Sequence, residues 1–450
     1  SNYFFQIIKN LDISLLAIDE AHCVSQWGHD FRPSYRLLAP LINKLNSRPI
    51  VTAFTATATS QVQEDVVNLL NLKNPDIFVT GFDRENLYFS VIKDMDKENF
   101  ILDYVKNNQN QSGIIYAGTR KEVDKIYELL HKKGYKVGRY HAGMNKQDRK
   151  DTQEDFIYEN IEIIVATNAF GMGIDKSNIR YVIHHNMPKS IEAYYQEAGR
   201  AGRDGEPSEC ILLFSPGDVQ LQKYLIEESS GNDSRKHVRY QKLQSMINYC
   251  HTSGCVRKHI LEYFGEEKTE DECNNCSNCD NQGELVDITV EAQKIFSCVY
   301  RMQQRFGVTM VAKVLGGSRS KRVKELGFDN LSTYDIMPDY SIKDIKSLIK
   351  MLVAEEYLTL SGGKYPVVKL KEKAKAVLNG KEKVFQKIWK PQEKEEDNEL
   401  FESLRKRRKD IADKEGVPPY IIFHDSTLKE MSQFLPQDKP SMLNISGVGE

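Results

Sequence analysis

Two adjacent carboxylates, Asp19 and Glu20, directly follow the apolar run Leu15–Ile18. Such a run predicts a buried strand, and ligands of parallel α/β sheets bind beyond the carboxyl ends of the strands. One carboxylate at that place can hold Mg²⁺ through its coordination shell, and the next can orient and deprotonate a water that attacks a phosphate. We assign these roles to Asp19 and Glu20 in that order. The alternative is that the acidic pair only caps the following helix.

Aromatic and basic side chains interleave just after the acidic pair, at Trp27, His29, Phe31 and Arg32. Bases of single-stranded nucleic acid can stack on Trp27 or Phe31 while Arg32 meets a phosphate. This stretch therefore predicts a sensor of single-stranded nucleic acid. The alternative is that the two rings fill the core of their own domain.

Two arginines, Arg200 and Arg203, are spaced to share one helix face, and Gln196 precedes them. A permanently charged, fork-shaped guanidinium suits a transferring phosphoryl group. We predict that Arg203 is an arginine finger and that Arg200 is its partner on the γ-phosphate. A surface network of Arg–Asp pairs is the alternative.

Four of the eight cysteines have the spacing of a metal site: Cys255 lies upstream of Cys273, Cys276 and Cys279, which are separated by two-residue gaps. Four thiolates can close a tetrahedral Zn²⁺ site, and such closed sites are structural. The competing arrangement has Cys250 in place of Cys255. Clustered cysteines of this kind also indicate a reducing compartment.

The composition is balanced, with 62 basic and 64 acidic residues in 450 and a formal net charge of −2. A nucleic-acid-binding chain of this kind must concentrate its positive charge locally. The length predicts three or four domains. No long apolar run and no signal-like start is present, which predicts a soluble protein that is not exported and has no membrane partner.

Several of these stretches resemble motifs of the RecQ family of superfamily 2 DNA helicases. Residues 15–22 resemble the DEAH-type Walker B motif, and residues 25–33 resemble the aromatic-rich loop of the family. Residues 163–175 resemble motif V, and residues 195–205 resemble motif VI. The four cysteines match the RecQ zinc site ligand for ligand.

The resemblance implies an ATP-dependent 3′–5′ DNA helicase that unwinds duplex DNA in recombination and repair, using ATP, Mg²⁺ and Zn²⁺. Its implied catalytic residues are Asp19, Glu20, Gln196, Arg200 and Arg203. The residues implied to bind the nucleotide and its metal are Asp19, Glu20, His22, Gly173, Asp175, Arg200 and Arg203. The residues implied to bind DNA are Trp27, His29, Phe31, Arg32, Thr119, Arg120, His141, Thr167, Arg319, Lys321, Arg322 and Tyr365.

Four of the implied DNA ligands follow strands of the second α/β unit. Thr119 and Arg120 lie where a strand ends and a helix begins, a place suited to an anion such as a DNA phosphate. Thr167 follows an apolar strand and can contact phosphate. His141 matches a family motif, although a lone histidine here is more often structural.

Further basic and aromatic residues lie in a predicted winged helix. Arg319, Lys321 and Arg322 belong to a cationic stretch that can grip duplex phosphates at a helix start. Tyr365 follows a glycine turn between two short strands, where the family carries a strand-separating hairpin. The alternatives are a solvated charge run and a tyrosine that packs on its own hairpin.

The predicted fold class is multidomain α/β, with two RecA-like lobes followed by a helical zinc-binding domain, a winged helix and an all-α HRDC domain. The predicted domains are 1–82 for the C-terminal part of lobe 1, 83–214 for lobe 2, 215–283 for the zinc-binding domain, 284–379 for the winged helix, 380–397 for a flexible linker and 398–450 for a truncated HRDC domain.

No segment of the form G-x-x-x-x-G-K-[ST] occurs in the sequence, so we expect a fragment whose first lobe is partial. This expectation keeps a second interpretation open, namely a catalytically incomplete module that binds DNA and zinc. The motor motifs alone also fit an RNA helicase or a chromatin remodeller. The expected partners are single-stranded and duplex DNA, single-stranded-DNA-binding protein and other repair factors, in the bacterial cytoplasm at the nucleoid.

Overall fold

The computed structural model describes residues 2–450 except 10, 29, 94, 172–175, 230–232, 267–269, 281–283, 362–364, 389–398, 416–421, 424, 437, 444, 446, 449 and 450. The chain forms two compact units, Ser1–Trp389 and Lys390–Glu450. Among the described residues, no helix combines the length and the apolar character needed to cross a bilayer.

The described strands are β1 Leu15–Ile18, β2 Ile50–Ala53, β3 Leu87–Lys93, β4 Ser112–Tyr116, β5 Val137–Tyr140, β6 Ile163–Ala166, β7 Ile179–His184, β8 Ser208–Phe214, β9 Glu284–Asp287, β10 Leu358–Leu360, β11 Val368–Leu370 and β12 Phe385–Ile388. The described α-helices are α1 Asn2–Lys9, α2 Leu38–Ile42, α3 Ser60–Leu69, α4 Lys97–Asn107, α5 Arg120–Lys132, α6 Lys146–Ile157, α7 Ile191–Ala198, α8 Pro216–Glu228, α9 Asp233–His251, α10 Val256–Tyr263, α11 Ser277–Asp280, α12 Thr289–Arg301, α13 Val308–Leu315, α14 Lys321–Glu325, α15 Ile342–Ala354, α16 Glu372–Leu378, α17 Glu399–Glu415, α18 Asp425–Phe434 and α19 Lys439–Leu443.

A six-stranded parallel sheet in the order β3-β8-β7-β4-β6-β5 forms the second lobe. Strands β4 and β6 are buried along their whole length, which explains their nearly continuous apolar sequence. In the first lobe, β1 and β2 pair in parallel, so that Ile18 lies beside Ala53. The two carboxylates after β1 and the threonines after β2 therefore meet at one edge.

The second lobe and the zinc-binding region share one hydrophobic core. Tyr194 of α7, Tyr249 of α9 and the cysteine Cys276 are all fully buried in the same cluster. Phe82, just before β3, stacks on Phe264 after α10, with ring centroids 4.6 Å apart. The cysteine region therefore packs directly against the helix that carries Gln196.

Residues 284–388 form a smaller unit with its own core, in which α12, α13 and α15 pack together. Strands β10 and β11 form an antiparallel hairpin, as predicted. Strand β12 pairs with β9, although residues 385–388 lie within the predicted linker 380–397. That part of the stretch is an ordered strand, while residues 389–398 lie outside the described residues. In the C-terminal unit, α17 packs against α18.

Candidate functional site

The acidic pair lies at the carboxyl end of β1, as predicted. The prediction that β1 is a buried strand is wrong, because Leu15 is 57% exposed and Ile18 alone in this strand is buried. Asp19 is exposed and its Oδ1 accepts a hydrogen bond from the Glu20 backbone N–H at 2.8 Å. Glu20 adopts a left-handed conformation with φ 49°, which turns its side chain toward His22. The Glu20 Oε2 to His22 Nδ1 distance is 3.2 Å, and His22 Nδ1 also lies 2.9 Å from Thr55 Oγ1. The histidine is buried and therefore links the acidic pair to the end of β2.

The pKa of Glu20 is raised above its ordinary value, first by burial and then by the neighbouring Asp19, while Arg32 and Arg200 lower it. A carboxylate with a raised pKa is a better proton acceptor at neutral pH than an ordinary one. This environment suits the role of general base that the sequence predicts for Glu20. The exposed Asp19 carboxylate has the oxygen donors that Mg²⁺ prefers.

Both arginines line a cleft of about 1560 Å³ together with Glu20. Gln196 Nε2 donates to Glu20 Oε1 at 3.3 Å, which brings α7 of the second lobe to the end of β1. Arg200 is buried and its Nη1 donates to the Gly171 carbonyl at 2.5 Å. Arg203 is exposed on the cleft wall. Four of the seven predicted nucleotide residues line this cleft, namely Glu20, His22, Arg200 and Arg203, and Asp19 adjoins Glu20 at the end of β1. Gly173 and Asp175 lie outside the described residues.

Side chains of the aromatic loop contact charged side chains of the protein itself. The Phe31 ring lies 4.7 Å from the Arg235 guanidinium of α9 and 5.2 Å from that of Arg36. Arg32 donates two hydrogen bonds to Asp30 Oδ2, from Nη2 at 2.6 Å and from Nε at 3.0 Å. Trp27 remains 41% exposed and available for stacking. His29 lies outside the described residues.

The predicted DNA ligands of the second lobe have structural partners as well. Thr119 caps α5 by accepting from the Glu122 backbone N–H at 3.2 Å. His141 is buried, its Nε2 lies 3.2 Å from Asp124 Oδ1, and its Nδ1 accepts from the Gly143 backbone N–H. Thr167 is half-buried at the end of β6, whereas Arg120 is exposed and adjoins Gly143 together with His141. Only Arg120 among them presents an open cationic surface.

The four predicted zinc ligands converge. Sγ atoms of Cys255, Cys273, Cys276 and Cys279 all lie within 4.8 Å of one another, and two of the pairs are 3.9 Å apart. A zinc tetrahedron with bonds of about 2.3 Å places its sulfurs about 3.8 Å apart, so the four thiols fit the ion. Cys255 also caps α10, since its Sγ accepts from the Lys258 backbone N–H. The four thiols that converge are those that the sequence predicts as ligands, and Cys250 is a buried thiol that is not part of this cluster.

The winged-helix residues are exposed as predicted. Arg319, Lys321 and Arg322 lie at the start of α14, where Glu325 is 3.8 Å from Lys321 and 3.6 Å from Arg322. Exposed pairs of this kind contribute little stability and leave the cations accessible. Tyr365 is 83% exposed on the hairpin, which argues against packing on its own strands.

Sequence reasoning missed the charged side chains that join segments distant in the chain. Arg235 of α9 reaches Phe31, and Lys242 of the same helix pairs with the buried Glu192 of α7. Arg257 of α10 donates to Asp83 and to backbone carbonyls ahead of β3. No local pattern distinguishes these cations from solvated ones, so only the tertiary structure reveals them.

Family models match four parts of the chain. They are the helicase conserved C-terminal domain at residues 96–205, the RecQ zinc-binding domain at 216–280, the RQC domain at 282–395 and the HRDC domain at 397–450. This order of domains, together with the parallel lobe and the cysteine site, defines a multidomain helicase.

Individual relatives are similar over the whole chain. The ATP-dependent DNA helicase RecQ of Bacillus subtilis is 48% identical over 99% of this chain and 76% of its own length. RecQ of Haemophilus influenzae is 40% identical over 100% of this chain and 74% of its own length. The RecQ-like DNA helicase BLM of Xenopus laevis is 34% identical over 97% of this chain and 35% of its own length. The chain belongs to the RecQ family of ATP-dependent DNA helicases, and it binds DNA and zinc.

Proposed function

We propose that the cleft between β1 and α7 is the ATP-hydrolysis site of this helicase. Asp19 would hold Mg²⁺, and Glu20, assisted by Gln196, would orient and deprotonate the attacking water. Bound Mg²⁺ would supply charge neutralisation on the phosphates. The observation that carries the proposal is the hydrogen bond from Gln196 to Glu20, because it joins the predicted base to the helix that leads to Arg200 and Arg203.

The two arginines have different environments that support different roles. Arg200 is buried and held by the Gly171 carbonyl, and its Nε is a buried donor with no protein partner among the described residues. An unpaired buried donor is costly unless a ligand satisfies it, so Arg200 is suited to a bound phosphate. Arg203 is exposed on the cleft wall, where a bound nucleotide can reach its guanidinium. We assign it the finger that stabilises charge on the transferring phosphoryl group.

DNA would cross the surfaces that carry Trp27, Arg120 and Thr167, with the winged helix on the duplex ahead. Arg319, Lys321 and Arg322 would contact duplex phosphates, and Tyr365 would stack on the last base pair. From family membership we also propose that the enzyme moves from 3′ to 5′ along DNA and acts in recombination and repair. We propose on the same basis that it lies in the cytoplasm at the nucleoid. Single-stranded-DNA-binding protein and other repair factors are proposed partners on the same basis.

The test is DNA-stimulated ATP hydrolysis, measured on this chain and on a version extended at its N-terminus through the phosphate loop of the family. In the extended version, Arg203→Ala should lower kcat by at least 10³-fold, the range reported for arginine fingers, and leave DNA affinity within about threefold. Lys132→Met, an exposed cation at the end of α5, is the matched charge control. Retained turnover in Arg203→Ala refutes the finger. If neither this chain nor the extended version hydrolyses ATP although both bind DNA, the result favours a module that only binds DNA and zinc.

A further inference from the structure

The turn that presents Arg203 is held by a side chain from the start of the second lobe. Arg84 Nη2 donates to the Gly202 carbonyl at 2.8 Å and to the Ala201 carbonyl at 3.4 Å. Asn86 Nδ2 donates to the same Gly202 carbonyl at 2.8 Å and to the Glu206 carbonyl at 2.9 Å. Residues on both sides of Arg203 are therefore tied to the segment that precedes β3.

Gly202 allows this arrangement because of its backbone conformation. Its φ is +55°, and an added Cβ would lie 2.4 Å from Asn86 Nδ2 and 2.8 Å from the Glu206 carbonyl oxygen. Only glycine combines that φ with such close neighbours. The turn is consequently closed by two side-chain donors on one carbonyl, and its geometry depends on where Arg84 and Asn86 are held.

The segment that carries Arg84 is in turn held by Arg257 of α10. Arg257 is 3% exposed, and its Nη1 donates to Asp83 Oδ1 at 2.6 Å and to the Arg84 carbonyl at 2.8 Å. Its Nη2 donates to the Leu87 carbonyl. Asn275, between two of the zinc ligands, adds a bond from Nδ2 to the Glu85 carbonyl at 2.7 Å. A guanidinium that donates to several fixed acceptors holds the segment before β3 in place more strictly than a single hydrogen bond would.

Arg257 is itself placed by the zinc site. Helix α10 begins immediately after Cys255, whose Sγ caps it, so Arg257 lies in the first turn beyond a zinc ligand. The contacts therefore run without a gap from Cys255 through Arg257 and Arg84 to Gly202. The residue that follows Gly202 is the proposed finger.

We propose that Arg84 and Arg257 are positioning residues for ATP hydrolysis, through which the zinc site fixes the turn that presents Arg203. This inference rests on the proposed function. A zinc site that served folding alone would need no buried guanidinium directed at the segment before β3, nor a second one directed from that segment at the finger turn. Since a displacement of about 1 Å can cost 10²-fold in rate, loosening the turn should lower kcat strongly.

Arg84→Met in the extended version tests the proposal, with Arg84→Lys as the conservative variant and Lys132→Met as the control. We expect Arg84→Met to lower kcat by about 10- to 100-fold, with KM for ATP changed less than about threefold. Arg84→Lys, which can still donate to the Gly202 carbonyl, should recover part of the loss. Zinc content, measured by metal analysis, should stay at one ion per chain. Unchanged kcat, or a loss matched by a loss of zinc, overturns the proposal.

Two further measurements separate this inference from the proposed function. In an Arg203→Ala background, Arg84→Met should cause no further loss of kcat, because both changes remove the same contribution. An additive loss overturns the positioning role, whereas full turnover of Arg203→Ala alone overturns the finger itself. Amide hydrogen exchange at residues 199–205, measured on this chain, should be faster in Arg84→Met and in Asn86→Ala. Unchanged exchange in both variants overturns the mechanical link.

Discussion

Lys242 and Glu192 form a buried ion pair whose disruption should destabilise the contact between the second lobe and the zinc-binding region. Lys242 of α9 donates to Glu192 Oε1 of α7, and Glu192 is 3% exposed. Burial alone would raise the pKa of Glu192, but the adjacent Lys242 ammonium lowers it below its ordinary value. The carboxylate therefore stays charged inside the shared core.

Lys242→Met removes the ammonium while keeping most of the side-chain volume. The change leaves a buried carboxylate without its counter-charge, which typically costs about 3–5 kcal/mol. For a folding unit of about 200 residues, this corresponds to a fall in Tm of roughly 6–20 °C. The double variant Glu192→Gln with Lys242→Met should regain most of that loss, because both charges are then absent.

Four proteins measure the coupling energy between the two charges: the unsubstituted protein, Lys242→Met, Glu192→Gln and the double variant. Their thermal and urea unfolding is followed by circular dichroism and by zinc release. Lys132→Met again serves as an exposed control, for which we expect a change within about 0.5 kcal/mol. The reasoning is refuted if Lys242→Met costs less than about 1 kcal/mol, or if the double variant is no more stable than the single one.

The Lys242–Glu192 ion pair also predicts how the stability of the protein changes with pH. Because the folded-state pKa of Glu192 is lowered, its contribution to stability is present above the unfolded carboxyl pKa of about 4.3 and is lost as the pH falls through the folded value. In Lys242→Met, the lone buried carboxyl should take up a proton more readily. The stability difference between the two proteins should therefore shrink in acid.

Two further predictions concern the zinc site and the hairpin. Cys276→Ser should abolish zinc binding and unfold the shared core, since Cys276 is fully buried there; a folded, soluble, metal-free variant by metal analysis and circular dichroism would count against a structural site. Tyr365→Ala should lower strand separation at least tenfold while DNA-stimulated ATP hydrolysis falls less than threefold, because the exposed ring lies outside the cleft; equal losses in both assays would argue against a strand-separating role.

Elements that carry a local signal could be predicted from the sequence. The apolar run before Asp19, the thiol spacing and the cluster around Arg200 each combine a residue pattern with a required chemistry. The structure brings Glu20, Gln196 and the arginines to one cleft and the four thiols to one point. Family membership and the fold class are confirmed by the comparisons. The individual roles of the site residues stay predictions.

The features that sequence reasoning missed depend on pairs that are distant in the chain. Arg84 and Gly202 are far apart in the sequence, as are Arg257 and Asp83, and each pair is in contact only in the tertiary structure. Charged side chains are normally solvated, so their burial follows from packing that no local window contains. Strand β12 is a similar case, because its lysine-rich surroundings indicate a linker while its partner β9 lies far upstream.

Because the Phe31 ring contacts two guanidiniums, a base that stacks on this ring competes with cation–π contacts that are already present. Two cation–π contacts at a partly exposed site contribute about 1–2 kcal/mol together, and stacking of a base on an aromatic ring contributes about 1–3 kcal/mol. Where a base that stacks on Phe31 displaces one of these arginines, the net affinity gained is small. Arg235 belongs to α9 of the zinc-binding region, whereas Arg36 belongs to the first lobe, as Phe31 does. Nucleic acid that takes the ring from Arg235 would thereby loosen one connection between the first lobe and the zinc-binding region while adding little to its own affinity.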